Sequence, residues 1–459
     1  MNQPAEDAQA IFTAAIDSVR ARPLVRREVR VDGDELLIGA HSWCRQDFDR
    51  VIIVGAGKAA TQMTAGLVDV LDGWLPYSGW INVPEGTETA INHITVHPAR
   101  PAGVNEPTEE GVRGTREILR RVRGASPRDL CIALISGGGS ALLPAPTEGI
   151  TLSDKLDVTR YLSGAGADIT ELNTVRKHLS DVKGGGLLHA CRAGQLITLV
   201  LSDVLGDPLD LIASGPTVAD RSSASDAIAV LAKFDPDRTL SPRVYWVLES
   251  ASEPAESKNT STDLASVVPH QTIVLGNNAV AVDEAGILAE SRGYNHAMQS
   301  ADKCEGAADD VGRHLAEMTV RMLRESSQVN CLITGGEPTV RLADASIRGR
   351  GGRNQQLVLA AYQHLLDAGL SDSEWSRFAL LSGGTDGEDG PTDAAGAILS
   401  ERTHRRAVEL KLDIDDHLRR NDAYTFFQQA GGLLITGPTG TNVCDVRVVV
   451  VTPPVDGRR

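Results

Sequence analysis

Short runs of consecutive apolar residues recur along the chain, and each is followed by glycine and polar residues. The runs are RVIIVGAGKAA (50–60), CIALISGGGSALL (131–143), LITLVLSDVLGD (196–207), TIVLGNNAVAV (272–282), CLITGGEPTV (331–340) and FALLSGGTDGEDG (378–390). Runs without polar alternation are typical of strands buried on both faces, which are usually parallel and covered by helices. Amphipathic stretches such as EEGVRGTREILRRVRG lie between them. The pattern predicts an α/β fold with mostly parallel sheets.

The chain is long enough for two large domains, since its 459 residues are about three times the ~150 expected for one. The stretch ESASEPAESKNTSTD (249–263) has no apolar period and predicts a solvated loop or a boundary. We therefore expect one α/β domain over 1–240 and a second over 241–459, with three strand ends in each. The last segment, LLITGPTGTNVCDVRVVVV, predicts two strands joined by a turn.

Composition restricts the partners that we expect. The formal net charge of −16 argues against nucleic acid, because an acidic surface repels a phosphate backbone. No window approaches the ~20 apolar residues of a membrane span, and the N-terminus lacks the pattern of a signal peptide. The six cysteines form no C-x-x-C pair and are expected to be free thiols. We expect a cytoplasmic protein, a monomer or a homodimer, that binds small molecules.

The glycine segments lie where an α/β fold binds its ligands, outside the carboxyl ends of the strands. In VGAGKAA, Gly55 and Gly57 fit the loose dinucleotide fingerprint G-x-G-x-x-A. The acidic partner expected about 20 residues later is not well placed, since Asp69 and Asp72 fall in the predicted helix. Lys58 would stand beside free backbone N–H groups at a helix start, which suits an anion, although a plain surface lysine is an alternative.

Two further segments are candidate anion sites. In SGGGSALL the glycines allow close approach of the backbone to a ligand, and the serine that follows them could bind phosphate or cap the helix. ELNTVRKHLSDVKGGGLL predicts a helix up to a glycine cap, with a basic face that binds anions or forms salt bridges. The candidate residues of the two segments are Ser136, Gly137, Gly138, Gly139, Ser140, Asn173, Arg176 and Lys177, and Ser180 shares the predicted helical face.

Acidic residues follow several of the predicted strands. Asp203 and Glu337 stand at strand ends, where a carboxylate can hold Mg²⁺ or orient a hydroxyl group, or simply form a turn. In SGGTDGEDGPTDAAGA we select Asp386 and Asp393 as candidate metal ligands. Its other acids, Glu388 and Asp389, are expected to be solvated turn residues.

The stretch IRGRGGRNQQLVLAA (347–361) is a glycine loop that runs into a predicted amphipathic helix. Arg353, Asn354 and Gln355 should lie near the helix N-terminus, where backbone dipoles and a guanidinium can bind an anion. Arg348 and Arg350 are expected to be loop charges.

Taken together and in order, these motifs resemble those of the glycerate 2-kinases of the MOFRL family. The motifs are VGAGKAA, SGGGSALLPAP, LNTVRKHLSDVKGGGLL, LSDVLGDPLDLIASGPT, GGEPTV, GRGGRNQ and SGGTDGEDGPTDAAGA. The resemblance implies a Rossmann-like N-terminal domain, a smaller C-terminal α/β domain and an active site in the interdomain cleft. It also implies phosphorylation of D-glycerate at its 2-hydroxyl, with ATP and Mg²⁺ or another divalent cation. Lys58 and Arg353 match the residues that are proposed to be catalytic in that family.

Three positions depart from the pattern of the family: Gln356, Glu388 and Cys444. None is Lys58 or Arg353, but Gln356 stands where an acid is common, which could alter metal or substrate contacts. The sequence leaves open which of Asp203, Glu337 and Asp386 coordinates the metal or orients the hydroxyl; we select Asp203 as the third catalytic residue. Two alternatives to a kinase are a nicotinamide-dependent hydroxypyruvate or 2-hydroxy-acid reductase and a non-catalytic anion- or nucleotide-binding protein.

Overall fold

The structure is a computed structural model that describes residues 3–101, 104, 106–252, 268–303, 305–325 and 328–453. Most of the predicted boundary stretch at 249–263, and Cys304, lie outside the described residues. The strands are β1 (Val29–Asp32), β2 (Glu35–Ile38), β3 (His41–Cys44), β4 (Arg50–Ala56), β5 (Tyr77–Pro84), β6 (Ile94–Arg100), β7 (Asp129–Ser136), β8 (Gln195–Leu201), β9 (His270–Gly276), β10 (His296–Gln299), β11 (Cys331–Gly336), β12 (Phe378–Gly384), β13 (Gly396–Ser400), β14 (Leu433–Leu434) and β15 (Asp445–Val451).

Helices lie between most of these strands. They are α1 (Gln3–Ser18), α2 (Ala21–Glu28), α3 (Ala60–Leu71), α4 (Glu109–Arg123), α5 (Gly139–Leu142), α6 (Leu152–Gly164), α7 (Ile169–His178), α8 (Gly186–Ala190), α9 (Ala224–Phe234), α10 (Pro242–Ser252), α11 (Asn278–Ser291), α12 (Ala308–Arg324), α13 (Arg353–Asp367), α14 (Asp372–Trp375), α15 (Glu401–Glu409), α16 (Ile414–Arg419) and α17 (Ala423–Ala430). Among the described residues, no helix combines the length and the apolar character needed to cross a membrane.

The chain forms two compact units. We call residues 21–201 with 208–275 the first unit, and residues 1–20, 202–207 and 276–459 the second unit. The predicted domains, 1–240 and 241–459, differ from this division. Helix α1 belongs to the second unit, and α10 and nearly all of β9 belong to the first.

The first unit is built on a six-stranded sheet of order β6-β5-β4-β7-β8-β9. The pairings of β4 with β5 and β7, of β5 with β6 and of β7 with β8 are all parallel. Every residue of β7 is buried, as its unbroken apolar run predicts. The predicted α/β class is confirmed, and the carboxyl ends of β4 and β7 lie side by side. Strand β9, which we expected in the second half of the fold, is the sixth strand of this sheet.

The second unit contains a six-stranded sheet of order β10-β11-β15-β12-β13-β14. Only β10 and β11 pair in parallel among its described strands, so the expectation of mostly parallel strands is wrong for this sheet. The reasons are that β13 runs antiparallel to both β12 and β14, and that β15 inserts antiparallel between β11 and β12, where Asp445 faces Gly336 and Gly384. The first residue of β15 therefore lies at the carboxyl ends of its neighbours. Strands β14 and β15 are both present, but they do not pair as a hairpin.

Each unit has helices that fix the elements carrying the candidate residues. In the first unit, α7 packs through Leu172 and Val175 into an apolar cluster that contains Leu231 and Leu248. In the second unit, α13 packs against α12 and the sheet, with Leu357 and Tyr362 in a common core. The packing of these buried side chains holds the ends of both helices in place.

Candidate functional site

Two glycine turns of the first unit are joined by hydrogen bonds. The Lys58 N–H, between β4 and α3, donates to the Gly137 carbonyl at 2.9 Å. The Ala59 N–H donates to the Ser136 hydroxyl at 3.1 Å. A Cβ at Gly57, whose φ is +144°, would lie 2.0 Å from Ser136 Oγ, so only glycine fits there. Ser136 is buried and fixes the turn that carries Lys58.

The middle glycine of SGGG is flanked by two basic side chains. Gly138 has a φ of +74°, and a Cβ added to it would lie 3.3 Å from Arg100 Nη2 and 3.6 Å from Lys58 Cγ. Arg100, the last residue of β6, is only 5% exposed and was not among the predicted site residues. The glycine loop, Lys58 and Arg100 together form a region of positive charge and backbone N–H groups.

Ser140 lies inside α5, and the residue that caps this helix is Gly138, so the alternative that Ser140 caps the helix is wrong. The Ser140 hydroxyl instead accepts hydrogen bonds from Lys183 Nζ at 2.7 Å and from Arg176 Nη2. Arg176 Nη1 and the Ser214 hydroxyl each donate to Asn173 Oδ1, both at 3.2 Å. The structure thus brings together Asn173, Arg176 and Ser140, which were predicted as candidates in two separate segments, whereas Lys183 and Ser214 were not among the predicted site residues.

Helix α7 ends at His178, so the predicted continuation to the glycines is wrong. The Lys155 ammonium, which is buried, donates to the carbonyls of Leu179 at 2.7 Å and Arg176 at 3.3 Å and so satisfies the last turn. Ser180 lies beyond the helix and does not share its face. Burial lowers the pKa of Lys155 to about 7.

Lys177 points away from the Ser140 cluster and is compensated by carboxylates. Its Nζ lies 3.4 Å from Asp220 Oδ1 and 3.7 Å from Asp210 Oδ2. For Lys177 the structure therefore shows the salt-bridge alternative, whereas the anion site stays a prediction for Arg176.

In the second unit, Arg353 begins α13 and is held by two carboxylates. Its Nε and Nη2 donate to Asp445 at 2.7 and 3.0 Å, and its Nη1 donates to Glu337 Oε1 at 2.8 Å. Burial disfavours the charged guanidinium, but Asp445 and Glu337 outweigh it and raise the pKa of Arg353. Burial also raises the pKa of Glu337, against the opposing effect of Arg353. Asp445, with its side chain 1% exposed, was not predicted as a site residue.

Two other predicted acids lie near this pair. The Cys444 thiol is 3.0 Å from the Asp203 carbonyl oxygen and 4.0 Å from Glu337 Oε2. Burial, with the charges of Glu337, Asp445 and Asp203 added, raises the pKa of Cys444. A Cβ on Gly384 would lie 3.1 Å from Asp386 Oδ1 and 3.7 Å from Asp445 Oδ1. The structure thus places Glu337 and Asp386 near the Arg353–Asp445 pair, and the backbone of Asp203 beside Cys444.

The N-terminus of α13 is already occupied by a carboxylate of the chain. Asp389 accepts the N–H groups of Asn354 at 3.0 Å and Gln355 at 2.8 Å and is 2% exposed. The expectation of a solvated Asp389 is wrong, because a helix start that is buried needs an acceptor for its N–H groups. Burial raises the pKa of Asp389 to about 7, the two backbone donors opposing it. Asn354 is buried too, and its side chain bonds Ser382 and Asp389.

The candidate metal ligands lie in different surroundings. Asp386 is half-buried near Asp445, whereas Asp393 is exposed and accepts the Tyr424 hydroxyl at 2.7 Å. Within the described ranges, the structure has no group of three or more His, Cys, Asp and Glu side chains arranged to hold a metal ion.

Comparison with known proteins shows the family. A domain of unknown function, DUF4147, matches residues 7–249, and the MOFRL family matches residues 330–445. Glycerate kinase from Mus musculus is 35% identical, over 98% of this chain and 93% of the mouse protein. This chain belongs to the MOFRL glycerate kinase family. A protein from Agrobacterium vitis with the name putative hydroxypyruvate reductase is 36% identical, over 88% of this chain and 87% of its own.

A solved member of the glycerate kinase family has the same fold. The crystal structure of glycerate kinase from Thermotoga maritima matches with a TM-score of 0.81 and 33% identity, covering 98% of this chain and 99% of that one. The resemblance inferred from the motifs is therefore confirmed. Of the departures from the family pattern, Gln356 is buried and donates to Asp309 Oδ1 at 3.0 Å, so it joins α13 to α12. Cys444 lies against Glu337, beside the Arg353 pair.

Proposed function

We propose that this chain is a glycerate kinase that transfers the γ-phosphoryl group of ATP to the 2-hydroxyl of D-glycerate, forming 2-phosphoglycerate and ADP. The observation that carries the proposal is the likeness to glycerate kinases from mouse and Thermotoga maritima over 98% of the chain. Likeness over the full length supports a shared reaction better than a single motif does.

The chemistry of the first unit fits this reaction. Phosphoryl transfer needs little covalent help from the protein, but it needs positioning and positive charge around the transferred group. Lys58 and Arg100 flank Gly138, at adjacent strand ends whose glycines let a ligand approach the backbone. We assign Lys58 to the transferred phosphoryl group. Gly55 and Gly57 shape its turn, and Gly137, Gly138 and Gly139 supply N–H groups to phosphate.

Arg353 is proposed as the second catalytic cation. Its hydrogen bonds to Asp445 and Glu337 use three of the five N–H groups of a guanidinium. The remaining two can donate to phosphoryl oxygens, while the bidentate pair with Asp445 fixes the plane of the guanidinium. In this proposal Asp203 orients the 2-hydroxyl of glycerate.

A divalent cation fits the oxygen donors of the second unit. Asp386 and Glu337 are close enough that the Asp386 charge helps to raise the pKa of Glu337. Mg²⁺ is usually held by one or two carboxylates together with substrate phosphates and water, so a dedicated cage is not required. When bound, it would neutralise charge on the phosphates of ATP. Asp393 as a ligand stays a prediction.

The direct test incubates the protein with ATP, D-glycerate and Mg²⁺ and identifies the product by ³¹P NMR. We expect 2-phosphoglycerate and ADP in equal amounts. Formation of 3-phosphoglycerate would contradict the assignment of the acceptor hydroxyl. If no ADP forms with D-glycerate or other small hydroxy acids, the chain is a binding protein and the kinase proposal fails.

The name of the Agrobacterium vitis relative favours one second candidate, a hydroxypyruvate reductase. Against it, Asp69 is ion-paired with Arg22 at 2.8 Å and Asp72 caps the end of α3, so neither acid is placed to bind a ribose. We expect no oxidation of NADH or NADPH when hydroxypyruvate is added without ATP. Oxidation under those conditions would favour the reductase.

A further inference from the structure

Among the described residues, the buried Lys183 ammonium contacts only neutral oxygen atoms. Its side chain lies between the β7 turn and the segment that contains Ser214, and the residue is 4% exposed. Its Nζ donates to the Ser140 hydroxyl at 2.7 Å, the Ser140 carbonyl at 3.0 Å and the Ser214 hydroxyl at 3.4 Å. An ammonium group buried in this way is costly without a negative charge beside it.

A second cation adds to this excess of positive charge. Arg176 shares the Ser140 hydroxyl with Lys183 and is half-buried, so the cluster can be reached from solvent. Within the part of the chain that the structure describes, neither side chain has a carboxylate within ion-pair distance. Burial lowers the pKa of Lys183, and the charges of Arg176 and Lys155 lower it further. None of the described carboxylates of the first unit is therefore within ion-pair distance of these two positive charges.

The backbone around Ser214 is held in an unusual conformation. Ala213 and Ser214 have φ values of +52° and +62°, in the left-handed region that residues other than glycine rarely adopt. This backbone places the buried Ser214 hydroxyl beside Asn173 and Lys183. Local strain of this kind persists where the surroundings enforce it, and it is common at ligand sites.

We propose that Lys183, Arg176 and Ser140, with Asn173 and Ser214 as positioning residues, form a binding site for an oxyanion of a substrate, a carboxylate or a phosphate group. A single carboxylate or phosphate could accept hydrogen bonds from the ammonium, from the guanidinium and from the Ser140 hydroxyl, which would turn from the Ser214 hydroxyl 3.2 Å away. Lys183 thereby joins the binding residues of the proposed kinase, and Ser214 is added as a positioning residue. Only the choice of substrate rests on the proposed function; the oxyanion site rests on the charges.

The experiment measures binding by calorimetry to the wild-type chain and to Lys183→Met and Arg176→Met. The probes are D-glycerate, which has a carboxylate and no phosphate, ADP, which has phosphates and no carboxylate, and inorganic phosphate. We expect both substitutions to weaken the binding of either D-glycerate or ADP at least tenfold. The probe whose binding is weakened shows whether the oxyanion is the carboxylate of glycerate or a phosphate of the nucleotide. Lys233→Met, at an exposed lysine on α9 that pairs with Glu171, is the control and should leave all affinities unchanged.

Thermal unfolding without ligand separates a binding role from a structural one. Without a bound anion, a buried ammonium destabilises the folded protein. Lys183→Met should therefore unfold at the same or a higher temperature than wild type. Phosphate should raise the unfolding temperature of wild type more than that of the variant. The proposal is overturned if Lys183→Met unfolds earlier without ligand, or if both variants bind every probe within threefold of wild type.

These outcomes are independent of turnover. Binding that requires Lys183, in a chain that never phosphorylates D-glycerate, would reject the proposed function and keep the site. Turnover of D-glycerate with binding unaffected by both substitutions would keep the function and reject the site.

Discussion

At the scale of single residues, the structure describes different contacts for the two cations proposed to be catalytic. The backbone of Lys58 is fixed by its N–H bond to Gly137 in a glycine-lined turn. Arg353 is fixed through its side chain, by Asp445 and Glu337. Because two carboxylates bond one guanidinium, the group of Arg353, Asp445 and Glu337 side chains carries a net negative charge when all three are ionised. This charge favours a role for Arg353 together with a metal ion.

Asp445→Asn should impair both stability and catalysis. The amide would present a donor to the Arg353 guanidinium, so we expect the free energy of unfolding to fall by about 1–3 kcal/mol. We expect kcat to fall at least tenfold, because Arg353 loses its fixed plane. Urea unfolding and steady-state kinetics measure the two effects. Asp17→Asn, at an exposed pair with Arg20, is the control and should change little; equal behaviour of the two variants would contradict the role of Asp445.

Asp389 should make stability depend on pH. Its folded pKa of about 7 lies above the ordinary value of 3.8, so the folded chain binds the proton more tightly than the unfolded chain does. The stabilisation from this group is therefore complete below about pH 4 and is lost as the pH rises to 7. Asp389→Asn cannot titrate, so the difference in unfolding free energy between wild type and variant should move in favour of the variant from pH 5 to 7.5. If the unfolding free energies of wild type and variant change with pH in parallel, the two backbone N–H groups keep the Asp389 carboxylate ionised from pH 5 to 7.5.

At the scale of elements, the turns between strands and helices follow from local sequence. The turn after β4 was predictable because a buried apolar run and a G-x-G pair are local signals. Its close contact with the β7 turn also follows, since neighbouring parallel strands end together. These two facts were sufficient to predict the neighbourhood of Lys58 and Ser140.

Three of the four missed residues of the candidate site, Asp445, Lys183 and Arg100, were missed for physical reasons. Asp445 begins a strand, and only an antiparallel β15 brings that end to the carboxyl ends of β11 and β12. Lys183 was missed because α7 was predicted to continue to the glycines, whereas the helix ends at His178 and Lys155 satisfies its last turn. The available signal was the lysine that stands before three glycines in DVKGGG. Arg100 ends β6, an edge strand that has no unbroken apolar run. Strand direction and helix ends depend on tertiary contacts that periodicity does not contain.

The turn that carries Lys58 should tolerate no side chain at Gly57. Gly57→Ala would place a Cβ 2.0 Å from Ser136 Oγ and 2.7 Å from the Ser136 carbonyl oxygen. Gly73→Ala is the matched control, because Gly73 also has a positive φ, +75°, but has no atom within 4 Å of its Cβ. We expect the control to lose about 1 kcal/mol through backbone strain and Gly57→Ala to lose at least about 2 kcal/mol more, together with its kinase activity. Equal losses in urea unfolding would show that the contact with Ser136 does not constrain the turn.

At the scale of the whole molecule, the two units provide different chemistry within a chain of net charge −16. The first unit has four basic residues around its glycine turns: Lys58, Arg100, Arg176 and Lys183. This positive environment is suited to anions. In the second unit, carboxylates lie near Arg353. This negative environment is suited to a divalent cation and to a substrate hydroxyl. A kinase for a carboxylic acid needs both kinds of surrounding, because it must hold two anionic substrates and a metal ion.

We propose that Lys58 and Arg353 are both needed for the transfer of the phosphoryl group. The measurement that tests it most directly is kcat for phosphorylation of D-glycerate by wild type, Lys58→Met, Arg353→Met and the double variant. The control is Arg348→Met, at an exposed arginine in the glycine loop that precedes Arg353, and it should keep the wild-type rate. We predict that each single substitution lowers kcat by about 10³-fold or more, and that the double variant is far less impaired than the product of the two losses, as for residues that act as a unit. Near-wild-type kcat in either single variant, or losses that multiply in full, would contradict it.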